Sequence, residues 1–506
     1  MAFFVMKNVT EFFFNREHDT SVACVYGDTA LTSAELIRKI KKTVSVLNYT
    51  GVRSRDVVAV AVENPLGFLI TTFALLRLGA LVVPFPERYG EERRVYIQEK
   101  LKFKHLIRDI EDTFNSGERI NVLSAPHILS DSAQEMDSLV FIQATSLDTP
   151  AYCDFTSGST GFPKIVVTTH GQYIGRLEKS ITQLAVAPTL IGVDLRSSYG
   201  LKWIVRGLAT GSRVILVDNM SPENMLRNIA ANNVERIVCM PGVVSELYDA
   251  LVLKSLPDDV EPILKGIRHW CLGGSKVPTK IRLWIRRDLS SSLVVTYGTT
   301  ECGRIATFIE DEKTFDDPDF VGDVMPEIAV EIVDEDERPV PRGANGIIRI
   351  RAPHMAYAYF SDPIATAKHF RSGWFYPGDC GRLVGDNRLY LTGRIDDVIN
   401  IGGTKLDPSF YENKICQHPG VLQAFVALLE FTADSSRVVC AIKLALQVDQ
   451  EDVRQYVNEI FDGRDMEIFF FESIKLNRRG KIDRVACKAE LARVIKSRER
   501  FGEQAQ

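Results

Sequence analysis

From about residue 20 to residue 400, short runs of β-branched and apolar residues alternate with stretches whose apolar positions recur at helical spacing. Val57–Val62 (VVAVAV), Leu81–Val83, Val214–Val217, Ile237–Met240 and Leu293–Thr296 predict buried strands. A strand covered on both faces reads as a continuous apolar run rather than an alternating one. Between these runs, Glu35–Leu47 and Pro222–Asn232 predict amphipathic helices. Alternation sustained over this length predicts an α/β fold built on parallel sheets with both faces covered. Beyond about Val321 the texture changes. The pieces 328–334 (IAVEIVD) and 347–353 (IIRIRAP), broken by Pro341 and Gly343, predict an antiparallel β-rich subdomain. The last hundred residues predict strands at 424–430 and 437–446, a helix from Glu451 to Ile460 and a charged helix over Lys488–Arg500. A glycine and charges at Gly393–Asp397 interrupt two strand-like runs. The expected organisation is a large N-terminal domain over 1–394, made of αβ-layered subdomains with a β-rich subdomain, and a small mobile α+β C-terminal domain over 395–506.

Length agrees with more than one unit, since 506 residues exceed what a single compact core organises, at roughly 100–200 residues per domain. With 45% hydrophobic and 25% charged residues, the chain is neither disordered nor collagen-like. Sixty-one Lys+Arg against 66 Asp+Glu leave a net charge of −5, which gives no general attraction to nucleic acid or an anionic membrane. The most apolar stretch, Leu66–Pro86, contains Arg77, Gly79 and Pro84, so a buried helix followed by a core strand is expected there, not a membrane span. The 9 cysteines form no CxxC pair, which points to reduced thiols in a cytoplasmic protein. Lys7 and Glu11 interrupt the apolar start before a signal-peptide core forms.

The sharpest local signal is FTSGSTGFPK, Phe155 to Lys164. Its glycines let the backbone bend closely, its serines and threonines add hydroxyl donors, and Lys164 supplies a cation, a combination suited to polyphosphate. Pro163 stands where a Walker loop needs glycine, which removes the P-loop reading. On its own, a Ser/Gly-rich loop of this kind is usually a flexible surface turn.

Together with LGGS (272–275), YGTTE (297–301), PGD (377–379), TGRIDD (392–397) and RGKIDR (479–484), in that order, the chain resembles the ANL superfamily of adenylate-forming enzymes. That superfamily comprises acyl-CoA and aryl-CoA synthetases, nonribosomal peptide adenylation domains and luciferase. The resemblance implies a reaction in which ATP and Mg2+ convert a carboxylate to an acyl-adenylate, which a thiol then attacks. It places Thr156, Ser157, Gly158, Ser159, Thr160, Gly161 and Lys164 around the phosphates. It adds Gly274, Ser275, Tyr297 and Gly298 to the ATP-binding residues, with Tyr297 stacking on the adenine. Thr300 is implied at the α-phosphate and Glu301 on the metal, a single carboxylate that suits an ion completing its shell with phosphate and water. Asp379 is implied on the ribose hydroxyls, with Arg394 beside it; a salt bridge across the domain boundary is the other role open to Arg394. Pro377 departs from the threonine more usual there. Lys481 is implied to stabilise charge as the carboxylate attacks the α-phosphorus, although in isolation it reads as a solvated lysine. A hinge at Asp396 would swing the C-terminal domain between the half-reactions.

Gly402, Gly403 and Lys405 are implied at the phosphopantetheine thiol of the acceptor, with a β-bulge as the other account of the glycine pair. For the acid, the lining expected from the resemblance is Asp194, Ser198, Cys271, Gly273, Thr296 and Arg304. Asp194 stands where amino-acid adenylation domains place a partner for the substrate ammonium, and it equally suits the N-cap of the following helix. Arg304 suits either a second carboxylate or a surface salt bridge. Because of Asp194, and because a histidine common in acyl-CoA synthetases is missing near Ser197, an amino acid or other small polar acid is expected. The expected acceptor is then an acyl or peptidyl carrier protein, with free CoA as the alternative. A non-catalytic nucleotide-binding regulator is the third possibility.

Overall fold

The computed structural model describes residues 6–86, 89–109, 120–130, 145–156, 162–181, 184–256, 260–309, 317, 319–395, 399–401, 404–406, 408–432, 435–461, 466–475 and 482–502. Strand and helix formation follows the apolar pattern closely. Val57–Ala61, Leu81–Pro84, Val214–Leu216, Arg236–Cys239 and Ser292–Thr299 are strands, and Ser33–Tyr49 and Pro222–Asn232 are helices. A capping box between Thr32 and Glu35 starts the first of these helices. The apolar stretch at 66–86 is the buried helix Pro65–Leu78, stopped by Gly79 at φ 76°, followed by the strand Leu81–Pro84. No helix among the described residues is long and apolar enough to cross a membrane.

Two large sheets carry the chain up to Arg394. One has 6 described strands, in the order Asn121–Ser124, His105–Arg108, Val57–Ala61, Leu81–Pro84, Pro150–Thr156, Lys164–Thr169. All neighbours are parallel except the last pair, a hairpin that brackets the phosphate loop. The other sheet has 15 described strands. Its parallel half runs through Val22–Tyr26, Val214–Leu216, Thr189–Gly192, Arg236–Cys239, His269–Gly273 and Ser292–Thr299. The helices Ser33–Tyr49, Pro65–Leu78 and Ser198–Thr210 fill the core shared by the two sheets.

The β-rich region is antiparallel, as its pattern predicts, but it does not form a sheet of its own. Gly303–Ile309 folds back on Ser292–Thr299, and the strands from Phe320 to Arg394 continue from that hairpin within the same sheet. The antiparallel portion therefore begins at Gly303, before the change in texture near Val321. Residues beyond 398 supply a separate three-stranded sheet, Val421–Thr432, Ser435–Leu444 and Glu467–Phe470. Alternate residues of these strands face two cores, Val426, Cys440 and Ile442 on one side and Phe425, Ala427 and Val439 on the other. Lys443 Nζ reaches Asp249 Oδ2 at 2.9 Å, and Lys280 donates to the carbonyls of Val421 and Leu422, so this sheet rests on the helices Pro241–Val252 and Thr279–Leu283.

His170, fully buried at the start of the helix His170–Ile181, accepts the Val9 amide on Nδ1 at 3.3 Å. Burial lowers its pKa from 6.5 to about 4, so the neutral ring is the folded form. The unfolded chain takes up a proton below pH 6.5 while the folded one does not until about pH 4. Stability is therefore complete above pH 6.5 and should fall by about 3 kcal/mol on acidification through that window. Denaturant melts of wild type and His170→Asn between pH 7 and pH 4 check this: the variant should lose that part of the pH slope.

Candidate active site

The site forms where the two large sheets meet. Thr156 and Lys164 pair across the hairpin ladder, so the two ends of the phosphate loop are held side by side. The Thr156 hydroxyl is buried with no hydrogen-bond partner among the described residues. Ser157, Gly158, Ser159, Thr160 and Gly161 lie outside the described residues. Lys164 Nζ donates to His369 Nε2 at 2.8 Å and lies 5.0 Å from the centroid of the Tyr359 ring. His369 Nδ1 is 2.8 Å from the Tyr376 carbonyl, which places its proton on Nδ1 and leaves Nε2 as the acceptor. Burial lowers the His369 pKa and favours this neutral form.

The YGTTE turn joins Ser292–Thr299 to Gly303–Ile309. A Cβ on Gly298 would stand 2.4 Å from the Gly303 carbonyl, which explains the glycine. Arg176, on the helix after the phosphate loop, holds this turn by its backbone. Its Nη2 donates to the Glu301 carbonyl at 2.7 Å, its Nη1 to the Thr300 carbonyl at 3.3 Å and its Nε to the His354 carbonyl at 2.8 Å. The neighbouring Gly175 leaves room for the His354 ring, since a Cβ there would come within 2.2 Å of Nε2. Glu301 is buried, and its Oε1 accepts the Tyr359 hydroxyl at 2.7 Å. Its Oε2 has no hydrogen-bond partner among the described residues, which suits a cation bound through a single carboxylate oxygen. Among the described residues there is no cluster of three or more His, Cys, Asp or Glu side chains that would hold a metal by protein ligands alone.

Tyr297 and Asp379 stand on two strands of the large sheet, Ser292–Thr299 and Asp379–Val384, with three others between them. The Tyr297 hydroxyl donates to Asp379 Oδ2 at 2.5 Å, and Arg394 Nη1 donates to Oδ1 at 2.7 Å. Arg394 and Asp379 are cross-strand partners, so this salt bridge lies within one sheet and not across a domain boundary. Each carboxylate oxygen keeps a further lone pair for a ribose hydroxyl. Gly274 and Ser275 follow the strand His269–Gly273. Gly274 has φ 89°, a left-handed backbone angle that favours glycine.

Cys271, Gly273, Thr296 and Arg304 lie on three adjacent strands of that sheet, with Cys271 opposite Val294 and Gly273 opposite Thr296. Tyr199 reaches the same place, its hydroxyl 3.0 Å from where a Cβ on Gly273 would stand. Ser198 is buried, and its amide donates to Asp154 Oδ1 at 2.7 Å. Asp194 is engaged elsewhere. Its Oδ1 accepts the Arg196 amide at 3.0 Å and lies 3.8 Å from Arg196 Nη1, while Arg196 also pairs with Glu63 at 2.9 Å. The N-cap of the helix Ser198–Thr210 is Ser197, whose Oγ accepts the Gly200 amide at 3.1 Å, so the expected capping role for Asp194 is corrected. Asp396, Gly402, Gly403 and Lys481 lie outside the described residues. Lys405 sits on the strand Thr404–Leu406, which pairs with Ile399–Ile401.

Sequence reasoning missed Arg176, Tyr359 and His369, which belong to none of the six motifs. It also missed Lys202, which lies among Asp154, Arg176, Cys302 and the Tyr173 ring; burial and the Arg176 charge push its ammonium down to about 7.

A family model described as AMP-binding enzyme matches residues 13–360. The chain belongs to the AMP-binding enzyme family. It is an adenylate-forming acid–thiol ligase of the ANL superfamily. Among its relatives, a feruloyl-CoA synthase from Amycolatopsis sp is 29% identical over 418 residues, covering 80% of this chain and 81% of the relative. Tyrocidine synthase 2 from Brevibacillus parabrevis is 24% identical over 482 residues, covering 92% of this chain but 13% of that protein. The fold is shared with the o-succinylbenzoate CoA synthetase of Bacillus subtilis solved with its acyl-adenylate intermediate, at a TM-score of 0.79, 23% identity, and coverage of 95% of this chain and 97% of that one. The same neighbour has been solved with ATP and magnesium.

If Asp379 holds the ribose, Asp379→Asn should raise KM for ATP by about 10- to 100-fold, the worth of a charge-assisted hydrogen bond. Tyr297→Phe keeps the ring and frees Oδ2, and should change KM by less than about threefold. Steady-state kinetics with ATP varied checks both.

Proposed function

We propose that the chain is an acyl-CoA or aryl-CoA synthetase: it adenylates a small carboxylic acid with ATP and transfers the acyl group to the thiol of free CoA. One observation carries this choice over amino-acid activation for a carrier protein. The Asp194 carboxylate is bound to Arg196, so the pairing expected with a substrate ammonium has no committed acid behind it. The relatives support the same reading, because the match to feruloyl-CoA synthase spans most of that protein, whereas the match to tyrocidine synthase 2 takes in a small part of a much longer one.

In the first half-reaction a carboxylate oxygen of the acid attacks the α-phosphorus, the bond to the β-phosphate oxygen breaks, and pyrophosphate leaves. Thr156, Lys164 and the 157–161 segment would hold the phosphates, Tyr297 the adenine and Asp379 with Arg394 the ribose. Magnesium, bound through Glu301, would neutralise phosphate charge. Arg176 keeps Thr300 and Glu301 in register by fixing their carbonyls, and Tyr359 fixes the Glu301 carboxylate. Lys481 would stabilise the charge that develops at the α-phosphate, which is electrostatic catalysis by a positioned cation. In the second half-reaction the CoA sulfur attacks the acyl carbon and AMP leaves. The 395–506 region would move about Asp396 between the two steps, taking Lys481 out and bringing Gly402, Gly403 and Lys405 to the pantetheine arm.

Two assays test this. With any acid that supports ATP–pyrophosphate exchange, free CoA should be acylated at a rate comparable to exchange, and a phosphopantetheinylated carrier protein more slowly; a strict requirement for the carrier would refute the CoA assignment. Lys481→Ala should slow adenylate formation by about 100- to 1,000-fold and leave thiolysis of preformed adenylate within a few fold. Equal losses in both steps would contradict the division of labour.

A further inference from the structure

The segment from Ala356 to His369 ties the two sheets together at the site. The Ala356 amide donates to the Glu301 carbonyl at 2.8 Å, and the Phe360 amide donates at 2.8 Å to the carbonyl of Ile165, the neighbour of Lys164. Thr366 Oγ1 accepts the Tyr359 amide at 3.0 Å. His369 and Tyr376 are joined twice, by the Tyr376 amide on the His369 carbonyl at 2.8 Å and by His369 Nδ1 on the Tyr376 carbonyl at 2.8 Å. Two buried side chains are fixed in this way. Tyr359 touches both charges of the site: its hydroxyl donates to Glu301 Oε1 at 2.7 Å, and its ring centroid lies 5.0 Å from Lys164 Nζ. His369 Nε2 accepts the Lys164 ammonium at 2.8 Å, and its ring meets Tyr359 edge-on with centroids 5.7 Å apart. Lys164 and Glu301 both act on the His369 ring, yet Glu301 forms no salt bridge among the described residues. A cation and an anion sharing a poorly solvated site attract each other more strongly than either attracts a neutral partner. Here each charge nevertheless rests on a neutral side chain.

We propose that Tyr359 and His369 are positioning residues that hold the Lys164 ammonium off the Glu301 carboxylate, so that cation and anion stay open to the triphosphate and its magnesium instead of neutralising each other. Tyr359 occupies one Glu301 oxygen with its hydroxyl and meets the ammonium with its ring, a weak cation–π contact. His369 offers the ammonium a neutral acceptor. A phosphate oxygen displaces that acceptor readily, because the bond from an ammonium to an anion is the stronger one. An apolar side chain at 369 releases the lysine towards Glu301. This inference rests on the roles proposed above for Lys164 and Glu301 and adds the pair of side chains that keeps them apart.

Calorimetric titration of the full chain with α,β-methylene-ATP and magnesium, and separately with AMP, tests this and needs no choice of acid. His369→Phe keeps a ring and removes the acceptor. It should weaken the triphosphate analogue about tenfold and change AMP, which lacks the outer phosphates, by less than about twofold. The magnesium concentration that half-saturates analogue binding should rise with it. His369→Gln restores an acceptor and should recover most of the loss, and Tyr359→Phe should act in the same direction as His369→Phe. In a Lys164→Met background, His369→Phe should have no further effect. Should His369→Phe fail to fold by circular dichroism, Tyr359→Phe decides. Equal weakening of AMP and analogue, or no weakening of the analogue by either variant while Lys164→Met weakens it, would overturn the positioning role and leave the proposed function standing. An analogue affinity unmoved by Lys164→Met would overturn the phosphate role of Lys164 and the positioning role with it. Failure of the wild-type chain to bind either nucleotide would overturn the adenylation reading itself, so the failures are distinguishable.

Discussion

The guanidinium of the half-buried Arg176 is the joint on which the site depends. It projects from the helix that follows the phosphate-loop hairpin and directs its donors to three backbone carbonyls, those of His354, Thr300 and Glu301. Backbone carbonyls cannot rotate away as side chains do, so this contact fixes the position of the Thr300–Glu301 turn relative to the helix His170–Ile181. The cost of desolvating an arginine is offset by hydrogen bonds from each nitrogen that can donate, which makes the contact rigid as well as buried. Gly175 belongs to the same joint, because any side chain there would displace His354.

Around this joint the chemistry divides by sheet. The six-stranded sheet brings Thr156 and Lys164; the larger sheet brings Tyr297, Glu301, Asp379 and Arg394, with the acyl pocket on its parallel strands. On the proposed reading, nucleotide and acid meet at the point where the larger sheet changes from parallel to antiparallel. Strand ends at such a change leave backbone and side chains free to face a ligand. The nearby Lys164–His369–Tyr376 chain orders this edge of the site: the Lys164 ammonium donates to a neutral imidazole whose tautomer is set by a carbonyl.

Much of this was legible in the sequence. Continuous β-branched runs such as VVAVAV are strands because both their faces are covered, and the six motifs named Tyr297, Glu301, Asp379 and Arg394 before any coordinate did. The continuity of the β-rich region with the parallel sheet was not legible, since it is decided by the pairing of Gly303–Ile309 with both Ser292–Thr299 and Phe320–Val324, a tertiary feature. Arg176, Tyr359 and His369 stayed hidden because each acts on a residue far along the chain and lies in no motif; Lys164 and His369 are 205 positions apart. Asp194 was legible as an acid near the pocket, but Arg196, two residues on, decides where its charge goes.

The central claim is that nucleotide binds at this joint, with its ribose on a carboxylate already gripped by Tyr297 and Arg394. A crystal structure with AMP bound tests it most directly. The account predicts both ribose hydroxyls on Asp379, adenine against Tyr297 and the Arg176 contacts unchanged. AMP bound away from Asp379, or a turn at Thr300–Glu301 detached from Arg176 in the complex, would contradict it.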